Sequence, residues 1–221
     1  MSATLRIQLE LGPKGKRVIA VAPDWPGLSR GAKTSEAAIE RLRAYIPRYA
    51  PVAELAGLGD EFTALNRDEV VEEYPGVGST DFWGISFAFS SIDQQPPSSD
   101  ELQRLLALLR GSWAYFDQVR GRVSPEMEKG PRGGGRDRDH IVRHTIVSEL
   151  DMSKKVKLPV PAEPPFEEPA LSEHRAAYIA AIEQYHAEGK MARSWPLRYL
   201  IRHTAFHTLD HTWEMEDKDL S

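Results

Sequence analysis

Three histidines recur at a spacing of four near the end of this chain: His203, His207 and His211. On an α-helix, residues four apart are surface neighbours with Cβ atoms about 5–6 Å apart. Consecutive imidazoles in such a row can aim at a common point, and two of them can grip one ion at Zn–N distances of about 2.0–2.1 Å. Three in a straight row cannot, so a third protein ligand must come from another helix. The segment is suited to be that first helix. Pro196 fits an opening turn, where its missing N–H costs nothing, and no glycine or further proline interrupts residues 197–214.

A second pair at the same spacing, His140 and His144, lies in the segment His140-Ile141-Val142-Arg143-His144-Thr145-Ile146-Val147-Ser148-Glu149-Leu150. His144 sits beside the apolar stripe of that segment and His140 lies one turn earlier. On the later helix, His207 and His211 continue a line through Leu200 and Thr204 at the edge of the core face, and His203 is one position off it. The trio that can converge is therefore His144, His207 and His211. Three neutral imidazoles leave a fourth coordination position open, as in catalytic zinc sites. Zinc, nickel, ferrous iron and manganese all accept such donors, and zinc or nickel is the ion expected. Each imidazole also needs an acceptor for its other N–H. Glu149, Asp210 and Glu214 are the nearest candidates by sequence. His140 and His203 read as surface residues or neighbours of the site, His174 and His186 as solvated, and Trp113, Trp195 and Trp213 as packing.

The 221 residues contain no cysteine, so any metal must be held by His, Asp, Glu and water. A net charge of −5 argues against a nucleic-acid surface. No apolar run approaches the length of a membrane helix, and the first residues lack the apolar core of a signal peptide. A cytoplasmic protein is expected, acting on a small molecule, with neither nucleic acid nor membrane as partner. The exposed faces of its long helices leave a homodimer open.

The elements that must position the histidines can be read in order. Leu5, Ile7, Leu9 and Leu11 alternate with polar residues, the pattern of a half-buried strand. Further strands are expected over residues 17–22 and 28–32, in Glu69–Tyr74, and in the aromatic run Phe82–Phe89. Thr34 caps a helix that Pro47 and Pro51 should limit. Asp93-Gln94-Gln95-Pro96-Pro97-Ser98-Ser99-Asp100 has the composition of a linker, dividing an α+β domain (1–95) from a helical one (96–221). Beyond it, helices are expected from Ser98 or Ser99 to about Val123, from Asp137 or Asp139 through Leu150, from Leu171 to Glu188, and from Pro196. Gly111 weakens the first of them. A proline-rich stretch, Val156 to Glu168, supplies one long connection, so the four helices form a bundle, whose core is where helix-borne ligands meet. The glycine-rich loop Gly133-Gly134-Gly135 before the second helix carries Arg136, a candidate anion-binding residue at a helix N-terminus.

Two resemblances accompany this reading. Val18-Ile19-Ala20-Val21-Ala22-Pro23-Asp24-Trp25-Pro26-Gly27, with Gly31 and Thr34-Ser35-Glu36-Ala37, resembles the HicB-like domain, which implies a small antiparallel sheet with one helix. That family's toxin-binding role is not carried over, and Pro-Asp-Trp-Pro-Gly also reads simply as a rigid turn. The bundle with one histidine on its second helix and His-x-x-x-His on its last resembles the DinB (DinB/YfiT-like) superfamily. Trp113-Ala114-Tyr115-Phe116-Asp117 and His207-Thr208-Leu209-Asp210-His211-Thr212-Trp213-Glu214 support the likeness. Carried over, its metal triad is His144, His207 and His211. Members with assigned activities include metal-dependent transferases and isomerases that use a low-molecular-weight thiol such as mycothiol or bacillithiol. The implied activity is a thiol-dependent transfer. Hydrolysis is equally allowed chemically, because such an ion acidifies bound water to near neutrality. The alternative is a non-catalytic, stress-associated interaction protein with a structural or vestigial metal site and an exposed apolar patch on its first domain.

Overall fold

The computed structural model describes residues 3–130 and 134–221. Among them are a four-stranded open sheet and eight α-helices, an α+β architecture. The strands are β1 (Ala3–Leu11), β2 (Val18–Val21), β3 (Ser29–Ala32) and β4 (Leu65–Pro75), in the order β3-β2-β1-β4. β1 pairs antiparallel with β2, and β2 with β3, but β4 lies parallel to β1. The sheet is therefore mixed, not purely antiparallel as expected. A parallel partner needs a long crossover, and here β2, β3 and the helices α1 (Ser35–Leu55) and α2 (Gly59–Thr63) supply it.

Thr34 caps α1 through its side chain, accepting from Ala37 N–H. The helix then runs through both Pro47 and Pro51 rather than ending at them. Each proline removes one helical hydrogen bond. Pro47 is exposed, and Tyr49, Val52 and Ala53 on the same stretch are fully buried. Burial of that face offsets the lost bonds. The aromatic run also departs from expectation. It forms no strand: α3 (Gly78–Trp83) and α4 (Ser91–Gln94) flank a loop, and Phe82 and Trp83 stand 75% and 66% exposed.

The second half of β1 is buried on both faces. Leu5, Ile7 and Leu9 enter the larger core, and Gln8 and Glu10 on the opposite face are also 0% exposed. The half-buried reading fails because the chain from Thr80 to Ala88 folds over that face. The Glu10 carboxylate accepts from Tyr74 Oη (3.2 Å), Thr80 Oγ1 (2.5 Å), Ser86 Oγ (2.6 Å) and the N–H groups of Phe87 and Ala88. A carboxylate so answered can be buried.

Four long helices follow: α5 (Ser99–Arg122), α6 (Arg138–Ser153), α7 (Ala170–Ala187) and α8 (Leu197–Asp217). Ser98 and Glu101 form a capping box on α5, and Asp137 caps α6 by accepting from His140 N–H. One core joins sheet, α1, α5 and α8; a second joins α5, α7 and α8 with Met152 of α6. The larger core thus crosses residue 95. Gly111 marks where α5 meets α1, since a Cβ there would lie 2.6 Å from Val52 O. The turn at Pro23–Gly27 is applied to α8: Gly27 has φ +93°, and a Cβ on it would strike Leu209 Cδ1 at 2.6 Å.

Asp93, at the head of the linker stretch, is not solvated. It is 2% exposed and forms a two-point ion pair with Arg202 of α8 at 2.7 and 2.6 Å. Removing one partner of a buried pair costs about 3–5 kcal/mol. Asp93→Ala should therefore lower unfolding free energy in urea by about that amount, and Asp93→Ala/Arg202→Met by clearly less. Equal losses in the two variants would contradict the pairing.

Candidate metal centre

α6 and α8 pack side by side and bring the three expected histidines together. Ring centroids lie 5.1 Å apart for His144–His207, 4.8 Å for His144–His211 and 4.6 Å for His207–His211. One ring nitrogen from each falls within 4.8 Å of the other two. A tetrahedral ion with bonds of about 2.05 Å holds its nitrogens about 3.4 Å apart. Side-chain rotation of at most about 1.4 Å per pair, on that arithmetic, closes the set around one ion.

The local structure explains why these rings sit there. Thr204, Thr208 and Thr212 follow the three α8 histidines by one position, and each hydroxyl bonds back to the carbonyl four residues earlier, at 2.8, 3.0 and 2.8 Å. The threonines bury a polar stripe that mostly answers itself, Thr204 also meeting the Tyr178 hydroxyl at 3.2 Å, and leave the adjoining stripe to the imidazoles. On α6, Thr145 does the same to Ile141 O at 2.9 Å.

Of the three acceptors expected from sequence, Glu214 is in place. Its Oε2 lies 2.7 Å from His211 Nδ1. A carboxylate only accepts, so Nδ1 is the donor and Nε2 is the nitrogen left to face an ion. Arg136 Nη2 (2.8 Å, to Oε2) and Lys218 Nζ (2.6 Å, to Oε1) hold Glu214 from either side. Arg136, the candidate anion-binding residue, is thus paired with a carboxylate of the protein itself. Burial pushes the Glu214 carboxyl up, but the hydrogen bonds from His211 and Lys218 and the charge of Arg136 bring it down to about 2.

Glu149 and Asp210 are placed elsewhere. Glu149 follows His144 by five positions, about 140° round the helix. It points to α7, 2% exposed, against Arg175, which also holds Asp117 of α5 at 2.7 Å. Asp210 is paired with Arg30 of β3 at 3.4 Å. Of the three acids close in sequence, one meets an imidazole and two meet arginines, because helical phase, not distance along the chain, selects the partner. Arg136 was signalled only by its helix-start position, not by its contact with Glu214.

The other histidines separate. His203 is 8% exposed, its ring stacked on Tyr199 and edge-on to Trp195. His140 is exposed and shares with His144 an open cleft of about 560 Å³. His174 and His186 are half-buried, not solvated: His186 Nε2 lies 2.7 Å from Pro97 O. Trp113 and Trp213 are core residues, as expected.

Burial, then the neighbouring His211, lowers the basicity of His144 and His207, and His207 falls to about 3. Neutral, closely spaced imidazoles whose protons leave readily are what a divalent cation requires. No protein-family model matches the chain, and no curated protein or solved structure matches it.

Two outcomes follow. Glu214→Gln should weaken divalent-metal affinity about 10–100-fold while leaving the fold intact, measured by chelator competition. Without metal, His203 and His207, both lowered to about 3, resist protonation in the fold but accept it near about 6.5 when unfolded. Their contribution to stability is therefore complete above pH ~6.5 and is lost as pH falls from there toward 3, at up to about 1.4 kcal/mol per unit for each. Urea titrations across that range should show the decline, and His207→Gln should make it shallower.

Proposed function

We propose that this chain is a DinB-like divalent-metal protein in which His144, His207 and His211 hold one ion, and that it acts as an enzyme on a small molecule. The observation that carries the reading is the convergence of three imidazole nitrogens from two separate helices. An ion held there supplies Lewis-acid activation of a low-molecular-weight thiol or of water. The chain's own residues do the positioning. Glu214 fixes the tautomer of His211, Arg136 and Lys218 fix Glu214, and the cleft beside His144 admits a small molecule from solvent. Three protein ligands leave room for that molecule. The small sheet-and-helix unit before α5 is read as HicB-like and as a scaffold, its Pro23–Gly27 turn bracing α8. Zinc or nickel is the expected ion.

One observation favours a second reading. Phe82, Trp83 and Val77 are 75%, 66% and 44% exposed, the apolar patch that a non-catalytic interaction protein would present. In that case the same ion is structural.

Elemental analysis of protein purified and dialysed with zinc should find one ion per chain, and His207→Ala should lose it. Thiol consumption in the presence of an electrophile, assayed with mycothiol, bacillithiol and coenzyme A, should then depend on the ion. Metal bound at one per chain without any thiol or ester turnover would favour the interaction reading. Stoichiometry unaffected by His207→Ala would remove the enzyme reading and leave the interaction reading with a vestigial site.

A further inference from the structure

On the outer face of α6, the open cleft of about 560 Å³ is walled by Asp137, Asp139, His140, Arg143, His144 and Val147, so His144 is the member of the trio that reaches it. A second cleft, of about 470 Å³, shares Asp139 and Arg143 with it and continues past Phe166. Arg143 therefore stands where the two meet.

The charges along this groove are mostly answered. Asp137 is committed to capping α6 at His140 N–H, 2.7 Å away. Asp139 is paired with Arg138 at 2.9 Å. In the second cleft, Arg120 is paired with Asp117 at 2.9 Å and donates to Phe166 O at 3.2 Å. Two charges are left: Glu167, which lines the second cleft but not the first, and the exposed Arg143, the one cation of the groove without an ionic partner among the described residues. Its guanidinium lies over the Phe166 ring, 4.8 Å from the centroid, and among the described residues no carboxylate or carbonyl takes its N–H groups. Stacking uses the flat face of a guanidinium and leaves its rim of donors free. Phe166 thus holds in place a cation whose hydrogen-bonding capacity is unspent, in the same cleft as one of the candidate metal ligands.

We propose that Arg143 is an anion anchor for that centre. The molecule that reaches the open coordination position carries a carboxylate, which Arg143 receives in the same cleft. This rests on the metal reading above and narrows it to small organic anions bearing a metal-seeking donor. Arg143 positions the molecule and takes no part in bond making. A planar guanidinium suits a carboxylate better than an ammonium would, because it can offer two parallel donors.

The test uses the full chain loaded with cobalt(II) and follows thiolate-to-cobalt absorption. Mercaptopropionate and mercaptohexanoate are titrated against their neutral counterparts, mercaptopropanol and mercaptohexanol, the two chain lengths covering different reaches from cation to metal. In the native protein at least one carboxylate thiol should bind about tenfold more tightly than its matched alcohol. In Arg143→Gln that preference should vanish with the alcohols unchanged, and Arg143→Lys should restore part of it. Equal affinity for acid and alcohol at both lengths overturns the anchor and leaves the metal reading standing. So does an Arg143→Gln loss shared by both classes. A cobalt spectrum that no thiol perturbs overturns the open position itself, and the anchor with it.

Discussion

α8 has almost no solvent face, and the rest of the molecule is arranged around that constraint. Fifteen of its 21 residues are buried, among them Arg202, His203, Thr204, Thr208, His211 and Thr212. Burying a polar side chain costs several kcal/mol unless a partner replaces water. The threonines answer themselves by bonding back along their own helix. Arg202 is met by Asp93, Ser86 Oγ and Ala88 O. His211 is met by Glu214, and His203 by Tyr199. What is left on the α6 side is a group of three imidazoles, one ring nitrogen of each within 4.8 Å of the other two.

The same constraint accounts for the segment between β4 and α5. It is rich in polar residues, yet Thr80, Asp81, Ser86, Ser90 and Asp93 are all buried. Asp81 receives the N–H groups of Lys14, Lys16 and Arg17 from the β1–β2 turn at 2.6, 2.8 and 3.0 Å, so one carboxylate closes a turn remote in sequence. Glu10 and Arg202 reach this segment from the sheet and from α8, and both touch Ser86. It works as a polar seam between the two elements, meeting the charge of each.

Much of this was legible in the sequence, and the limits of the legibility are physical. Spacing by four announces a helical stripe, and three histidines on it announce a ligand row; the structure adds the partner from α6 at the distances a shared ion tolerates. Strand alternation and cap residues gave β1–β3 and the starts of α1, α5 and α6 nearly residue by residue, because those signals act over three or four positions. Most of the failures involve partners distant in sequence. Glu10 looked like a solvent-facing strand residue because its five donors come from residues 74–88. Pro47 and Pro51 looked like helix stops because the tertiary burial that overrides them cannot be seen locally. Phe82 and Trp83 looked like a strand because aromatic composition alone does not distinguish a pleated core strand from an exposed helical turn.

The position of α8 in the chain has a kinetic side. It follows every element it packs against, and it contributes to both cores. During synthesis, the sheet, α1 and the earlier long helices leave the ribosome with the apolar faces meant for α8 still uncovered. β1 and β4 can pair as soon as residue 75 has emerged, and so can form a waiting platform. In the helical half, α5 can already close on α1, but its face toward α7 and α8 stays open until those helices arrive. A chaperone that shelters exposed apolar helix faces would meet this protein late, just before its last long helix docks.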